Sequence, residues 1–327
     1  MAAVVLLIVL LVLGGSLSWR YLNTPLNVTE PVLFDVAAGS SLNRISSQLG
    51  GAGYLDYPRL FGLWARLRGA QSLIHTGEYE LLPETTPVTL LHKMLTGDVK
   101  QYAITLVEGW TLRQALNVIG AQDTIDRRLQ DHSPRAVADA LAIPHENPEG
   151  LFYPDTYFYT RGTSDIALLQ RAHQRLNGVL ESAWENRLGA LPYDTPYEAL
   201  IMASIIERES SLAAERGHIA GVFVRRLETG MRLQSDPTVI YGMADRFDGD
   251  IRRNDLQEPT AYNTYRINGL PPTPIALAGR DSILAALNPL PSDYLYFVST
   301  GDGSHYFSSS LEEHNDAVRR YQLQQGN

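Results

Sequence analysis

The chain has 327 residues, of which 44 % are hydrophobic and 19 % charged, with a net charge of −9. That length allows two domains and a small third segment, and the acidic balance argues against a nucleic-acid groove, which carries a basic excess. The absence of cysteine excludes a disulfide framework, a thiolate metal site and a cysteine nucleophile.

Residues 1–19 hold no charged side chain, and Val4-Val-Leu-Leu-Ile-Val-Leu-Leu-Val-Leu13 is strongly apolar. At about 1.5 Å per residue this stretch spans a ~30 Å hydrocarbon core, and Trp19, Arg20 and Tyr21 read as an interfacial belt. A retained anchor over 1–22 is the expectation; a signal peptide cut near Gly14-Gly-Ser-Leu-Ser18 is the competing reading. Residues 23–31, with Pro25 and Pro31, read as a tether. From 32 to 106 the pattern is a compact α+β module. Its strands are Val32-Leu-Phe-Asp-Val36 and Gly77-Glu-Tyr-Glu-Leu81. Its helices begin near Leu42, Pro58 and Thr89.

Residues 107–149 read as a connector: a strand candidate ending at Val107, a helix opened by Thr111 with Gln114 three positions on, and a charged helical stretch over 123–144. A larger α+β domain is expected over 150–327, opening with the aromatic run Gly150-Leu-Phe-Tyr-Pro-Asp-Thr-Tyr-Phe-Tyr159. A long helix over 164–188 leads to a second helix at Thr195-Pro196-Tyr197-Glu198, where Thr195 caps, Pro196 suits the first position and Glu198 closes a capping box. Strands at Tyr294-Leu-Tyr-Phe-Val-Ser299 and His305-Tyr-Phe-Ser308 flank Gly301-Asp-Gly303 as a hairpin. Ser310 and Glu313 then cap a final helix through Leu323.

Three constellations carry chemistry. The helix from Thr195 continues as Ala199-Leu-Ile-Met-Ala-Ser-Ile-Ile206, apolar on every face and so buried. It ends in Glu207-Arg-Glu-Ser-Ser211. A glutamate at the end of a buried helix beside a cleft is desolvated, and its pKa rises from about 4.3 towards the 6–7 that suits a general acid. Residues two apart on a helix point away from each other, so Glu207 and Glu209 cannot both face the same side. Glu209 lies on the stripe of Met202, Ile205 and Ile206, Glu207 on that of Leu200, Ala203 and Ser204. Because the helix is apolar all round, the stripes do not choose, and a solvated pair at a helix end stays open.

The second constellation is Arg232-Leu-Gln-Ser-Asp-Pro-Thr-Val-Ile-Tyr-Gly242. Gln234, Ser235 and Asp236 read as hydrogen-bonding partners lining a sugar cleft, while helix capping by Ser235 or Asp236 ahead of Pro237 accounts for Asp236 by itself. The third is Ala261-Tyr-Asn-Thr-Tyr265, followed by Asn268-Gly-Leu-Pro-Pro-Thr-Pro274. Tyr262, Asn263 and Tyr265 offer the aromatic faces and planar amide that recognise sugars; a packed loop with half-buried tyrosines is the alternative. The eight histidines show no metal spacing, so neither metal nor cofactor is expected.

These segments, with Glu108-Gly-Trp-Thr111, Gly150 to Tyr157, Gly269-Leu-Pro-Pro272 and Tyr294-Leu-Tyr-Phe-Val298, resemble in order the MltG (YceG-like) family of membrane-anchored endolytic murein transglycosylases. The resemblance covers essentially everything after the apolar run. It implies a LysM-like module before the catalytic domain and one catalytic glutamate within the Glu-x-Glu segment. Glu209 takes that role because Glu209-Ser210 looks like the Glu-Ser pair of the broader lytic transglycosylases, with Glu207 in reserve. It further implies peptidoglycan strands as substrate, synthases as neighbours, and a single-pass inner-membrane protein with its catalytic domain on the outer face. The chain departs from the family in having no lysine or arginine before the apolar run, which bears on orientation. Two rivals remain: a muramidase that hydrolyses the same bond, and a non-catalytic peptidoglycan-binding scaffold.

Overall fold

The structure, a computed structural model, describes residues 1–210 and 212–323. It is a mixed α+β chain of two compact units. The first comprises residues 1–102 with 158–162, the second residues 103–157 and 163–327.

The first unit opens with α1 (Ala2–Asn23), a helix long and apolar enough to cross a membrane. Its side chains are exposed along the apolar run, and Leu22 near its end is buried. β1 (Val32–Val36), α2 (Leu42–Gly51), α3 (Pro58–Leu67), β2 (Gly77–Leu81) and α4 (Pro87–Thr96) follow. β1 and β2 are antiparallel, with Phe34 opposite Tyr79 and Val32 opposite Leu81. Strand side chains alternate faces, so Phe34 and Val36 point together into a core completed by Ile45, Leu49, Phe61, Leu90 and Met94. The expected tether is part of this core. Leu26 and Val28 are buried in it, the Leu26 N–H donates to the Thr85 carbonyl and the Asn27 N–H to that of Tyr54.

The second unit contains most of the helix. β3 (Tyr102–Thr105) and β4 (Thr156–Tyr159) form a two-stranded sheet. Between them in the chain lie α5 (Leu112–Gly120) and α6 (Pro134–Leu141). Residues 107–149, expected as a connector, belong to this unit. The charged stretch over 123–144 is helical only in α6, which Ser133 starts by accepting from the Ala136 N–H.

Then come α7 (Asp165–Glu185), α8 (Pro196–Glu209), α9 (Ala213–Glu228), α10 (Asp236–Met243) and α11 (Arg280–Leu287). The hairpin β5 (Tyr296–Ser299) and β6 (His305–Ser308) and the final α12 (Leu311–Val318) close the chain. α8 starts at the expected capping box, with Thr195 accepting from the Glu198 N–H. Residues 199–206 are all buried, against α7, α9, α10 and α11. An apolar helix with no polar face has no surface to show water, so its neighbours enclose it and only its ends reach the outside.

Candidate active site

α8 delivers its two glutamates to different surroundings. The Glu207 side chain is 4 % exposed. Its Oε1 accepts from Arg216 Nη2 at 2.9 Å and its Oε2 from the Gly279 N–H, also at 2.9 Å. Arg216 comes from α9 and Gly279 caps α11, so Glu207 ties three helices together. Its oxygens are committed to this clamp. Glu108 and Asp281 each approach Arg216 at 3.9 Å.

Glu209, the last residue of α8, points elsewhere. Its Oε1 accepts from Ser235 Oγ at 2.5 Å. Burial pushes its carboxyl up from 4.5 to about 7; the nearby Asp236 carboxylate raises it further, while the Ser235 hydrogen bond and Arg226 oppose the rise. The negative end of the α8 dipole acts in the same upward sense. Near neutrality this carboxyl is divided between acid and base, which is what proton donation followed by proton recovery needs.

The turn ahead of α10 is held so that Ser235 faces Glu209. The Ser235 N–H donates to Thr264 Oγ1 at 2.9 Å, the Gln234 N–H to the Thr264 carbonyl at 3.2 Å, and Thr238 Oγ1 lies 2.8 Å from Thr264 Oγ1. Gln234 sits at φ 52°, the left-handed region that non-glycine residues enter rarely and at some cost. Ser235 occupies the cap position of α10, yet its hydroxyl makes no cap hydrogen bond and serves Glu209 instead. Asp236 does not cap either. Its Oδ1 accepts from Tyr265 OH at 2.7 Å. Capping, the simpler account of Asp236 from the sequence, is therefore replaced by a Glu209–Ser235 contact and an Asp236–Tyr265 contact side by side.

The other sequence candidates separate. Tyr262 is half-buried, and its hydroxyl lies 2.9 Å from Thr273 Oγ1. Gln234 is exposed at the turn. Asn263, only 1 % exposed, is spent on its own loop. Its amide donates to the carbonyls of Asp255, Leu256 and Glu258, and its Oδ1 accepts from the Tyr265 N–H. It holds the backbone at Tyr265, and its amide N–H groups are all spent on the loop.

A cleft of about 700 Å³ opens in the same unit. Glu209 does not line it, but Arg208, Pro237 and Tyr262 do, alongside Gln114, Asn147, Glu149 and Tyr241. Glu149 was not singled out from the sequence. It is 4 % exposed, with Oε1 accepting from the Leu112 N–H at 2.7 Å and Oε2 from Tyr241 OH at 3.2 Å. Burial pushes it up to about 7 against those hydrogen bonds. Its position just before Gly150, a glycine at φ 74°, was the available signal. Arg226 was also missed. It donates to the carbonyls of Leu233 and Leu295 and so ties the chain just ahead of the Ser235 turn to the residue before β5.

The YceG-like family profile matches residues 34–320. A Bacillus subtilis protein named endolytic murein transglycosylase is 30 % identical over 308 residues, covering 89 % of this chain and 84 % of that one. A Streptococcus pneumoniae protein of the same name is 25 % identical, covering 95 % of this chain and 63 % of its own length. A crystal structure of a yceG-like protein from Listeria monocytogenes superposes with a TM-score of 0.54 at 30 % identity, over 88 % of this chain and 99 % of that one. The match takes in both compact units and the whole Glu209–Ser235 arrangement, and the chain belongs to the YceG-like family.

Proposed function

We propose that this chain is a membrane-anchored endolytic transglycosylase of peptidoglycan with Glu209 as its acid and base. The observation that carries the reading is a carboxyl near pKa 7, hydrogen-bonded to Ser235, at the end of a buried helix whose preceding residue, Arg208, lines a cleft. The names of the Bacillus and Streptococcus relatives point to the same chemistry.

In the proposed reaction, protonated Glu209 gives its proton to the oxygen of the β-1,4 bond between N-acetylmuramic acid and N-acetylglucosamine. The C1–O bond breaks as an oxocarbenium-like state forms on the muramoyl ring. The Glu209 carboxylate then takes the proton of the muramoyl C6 hydroxyl, whose oxygen closes on C1 to give a 1,6-anhydro ring. Glu209 ends protonated and no water is consumed. Ser235 holds the carboxyl in position, and the faces of Tyr262 and Tyr265 and the exposed Gln234 and Asp236 suit contact with sugars. α1 supports attachment to the bacterial cytoplasmic membrane, and in this reading the catalytic domain stands on its outer face. The first unit would serve as a LysM-like module for glycan, and cutting beside the synthesis machinery would end growing strands.

Asp236 keeps a hydrolytic reading in view, since a hydrolase pairs its acid with a second carboxylate about 5–9.5 Å away. Mass spectrometry of purified glycan strands after incubation with the full chain in detergent, beside Glu209→Gln, separates the readings. The expected products are internal fragments with 1,6-anhydromuramic ends, reduced at least about 100-fold in the variant. Reducing ends would replace the transglycosylase with a muramidase. Intact strands that stay bound would leave a scaffold, and full activity in the variant would remove Glu209 from the mechanism.

A further inference from the structure

The two outer helices of the first unit differ in what they show to water. α2 exposes Asn43, Arg44, Ser47 and Gln48, an ordinary polar face. α3 exposes leucines: Leu63 is 54 % and Leu67 80 % accessible, with Tyr57 at 64 % before the helix and Leu73 at 59 % after it. Leu63 and Leu67 are four apart and share one face, which Arg59 extends by another turn. The opposite face, Phe61, Gly62 and Ala65, is buried in the core. α3 thus satisfies its fold with one side and leaves an apolar stripe on the other.

The charge of this segment departs from that of the chain. Between Asp56 and Glu78 there are three arginines, Arg59, Arg66 and Arg68, and no acid, in a protein of net charge −9. Arg66 Nη2 donates to Asn43 Oδ1 at 2.5 Å, and Arg68 lies over the Trp64 ring at 5.7 Å. Leucines sharing a helix face with Arg59, with Arg66 and Arg68 at its margin, make the pattern of a helix lying in a membrane surface, its aliphatic groups in the acyl boundary and its guanidinium groups among anionic headgroups.

The segment is also fixed next to the point where the chain leaves the apolar helix. Tyr21, two residues beyond Trp19, donates its hydroxyl to the Tyr57 carbonyl at 2.9 Å. The two rings meet edge to face, with centroids 5.6 Å apart. The start of α3 is therefore tied to the end of α1 at the level of its aromatic belt.

We propose that α3 lies on the anionic phospholipid surface beside α1, with Leu63 and Leu67 among the acyl chains and Arg59, Arg66 and Arg68 on the lipid phosphates. This rests on the reading of α1 as a membrane anchor and goes beyond it, because it fixes the module against the bilayer where a flexible tether would let it swing. Leu26 and Val28, folded into the core, remove the slack such a tether would need.

The chain has no cysteine, so single cysteines take a nitroxide label without background. The full chain is reconstituted into vesicles of phosphatidylglycerol and phosphatidylethanolamine as Leu63→Cys, Leu67→Cys, Leu10→Cys in α1 and Leu188→Cys, which is 73 % exposed in the second unit. Collision of each label with oxygen and with a water-soluble nickel chelate reports its depth. The expected result is lipid-like ratios at Leu10, Leu63 and Leu67, severalfold above that at Leu188, with the α3 labels shallower in phosphatidylcholine vesicles. Both leucines are exposed, so the labels leave the core intact, which circular dichroism checks. A lipid-like Leu10 with water-like Leu63 and Leu67 would overturn the proposal and leave the anchor standing. A water-like Leu10 would overturn both. Dipolar broadening between Leu67 labels would assign the face to a second copy of this chain. Equal depths in the two lipids would remove the arginines from the interaction.

Discussion

Glu207 and Glu209 share a helix turn and receive opposite environments. Glu207 meets a guanidinium and a backbone N–H, while Glu209 meets a hydroxyl in a half-buried position with Asp236 nearby. A carboxyl raised to about 7 favours its protonated form in the folded state. Cleavage by a protonated Glu209 should then fall as pH climbs through about 7, read as the falling limb of a kcat/KM profile. Ser235 holds the pKa down, so Ser235→Ala should move that limb to higher pH; an unmoved limb would mean another group sets it. Stability follows the same sign. Below pH 4.5 Glu209 is protonated folded and unfolded and contributes nothing. Between 4.5 and 7 the unfolded chain releases its proton first, and above 7 the folded state carries a charge it disfavours. Glu209→Gln should therefore stabilise the protein by about 2 to 3 kcal/mol at pH 8 and by little at pH 4, seen in denaturant midpoints at the two pH values. Glu207→Ala should do the reverse. Leaving the buried Arg216 with only Glu108 and Asp281, each at 3.9 Å, should cost less than the roughly 3 to 5 kcal/mol of a fully unpaired buried charge, while any remaining activity keeps its fall near pH 7.

Among the elements, the helices that begin with their own caps match the sequence reading closely. Thr111 with Gln114 and Thr195 with Glu198 close full capping boxes, and Ser310 accepts from the Glu313 N–H although the Glu313 carboxylate returns to the Ser309 N–H, because a cap involves only residues three or four apart. The hairpin around Gly301-Asp-Gly303 forms for the same local reason. α10 is the exception. Ser235 and Asp236 are both good caps, but Glu209 and Tyr265 compete for their side chains, and those partners lie 26 and 29 residues away in the chain. Asn263 shows a similar contest: an amide suited to sugar recognition is taken up by three loop carbonyls. Gly150 supports the cleft in a way its neighbours reveal. At φ 74° it also faces Pro274 and the Ala276 carbonyl, and an added Cβ would fall 2.4 Å from Pro274 Cβ and 3.0 Å from that oxygen. Gly150→Ala should cost about 1 to 3 kcal/mol of stability for the backbone alone, lower the thermal midpoint and disturb the adjacent Glu149. A wild-type midpoint would show that the 274–276 backbone yields freely.

The chain as a whole divides into its two units at Tyr102, with Phe158–Gly162 returning to the first. Truncation tests how the anchor joins that first unit. Removing residues 1–20, which keeps Tyr21 and Leu22 on the core, should leave the folded units intact and end integral attachment to the membrane. Removing residues 1–31 also takes Leu26 and Val28 out of the core, at about 1.5 to 3 kcal/mol for each buried side chain. The longer truncation should therefore melt lower, measured by circular dichroism; equal midpoints would return residues 23–31 to the role of a tether. The apolar first helix, the α+β character, the buried α8 with its terminal Glu-x-Glu and the family resemblance were all available from residue order, because each rests on hydrophobic spacing, local caps or contiguous motifs. Which glutamate faces Ser235, what becomes of Asp236 and Asn263, the burial of Glu149, and the leucine face of α3 depend on side chains far apart in the chain. Hydrophobic spacing says that a helix is buried, but the pKa and partner of a carboxyl at its end are set by whatever the fold brings within a few ångströms of it.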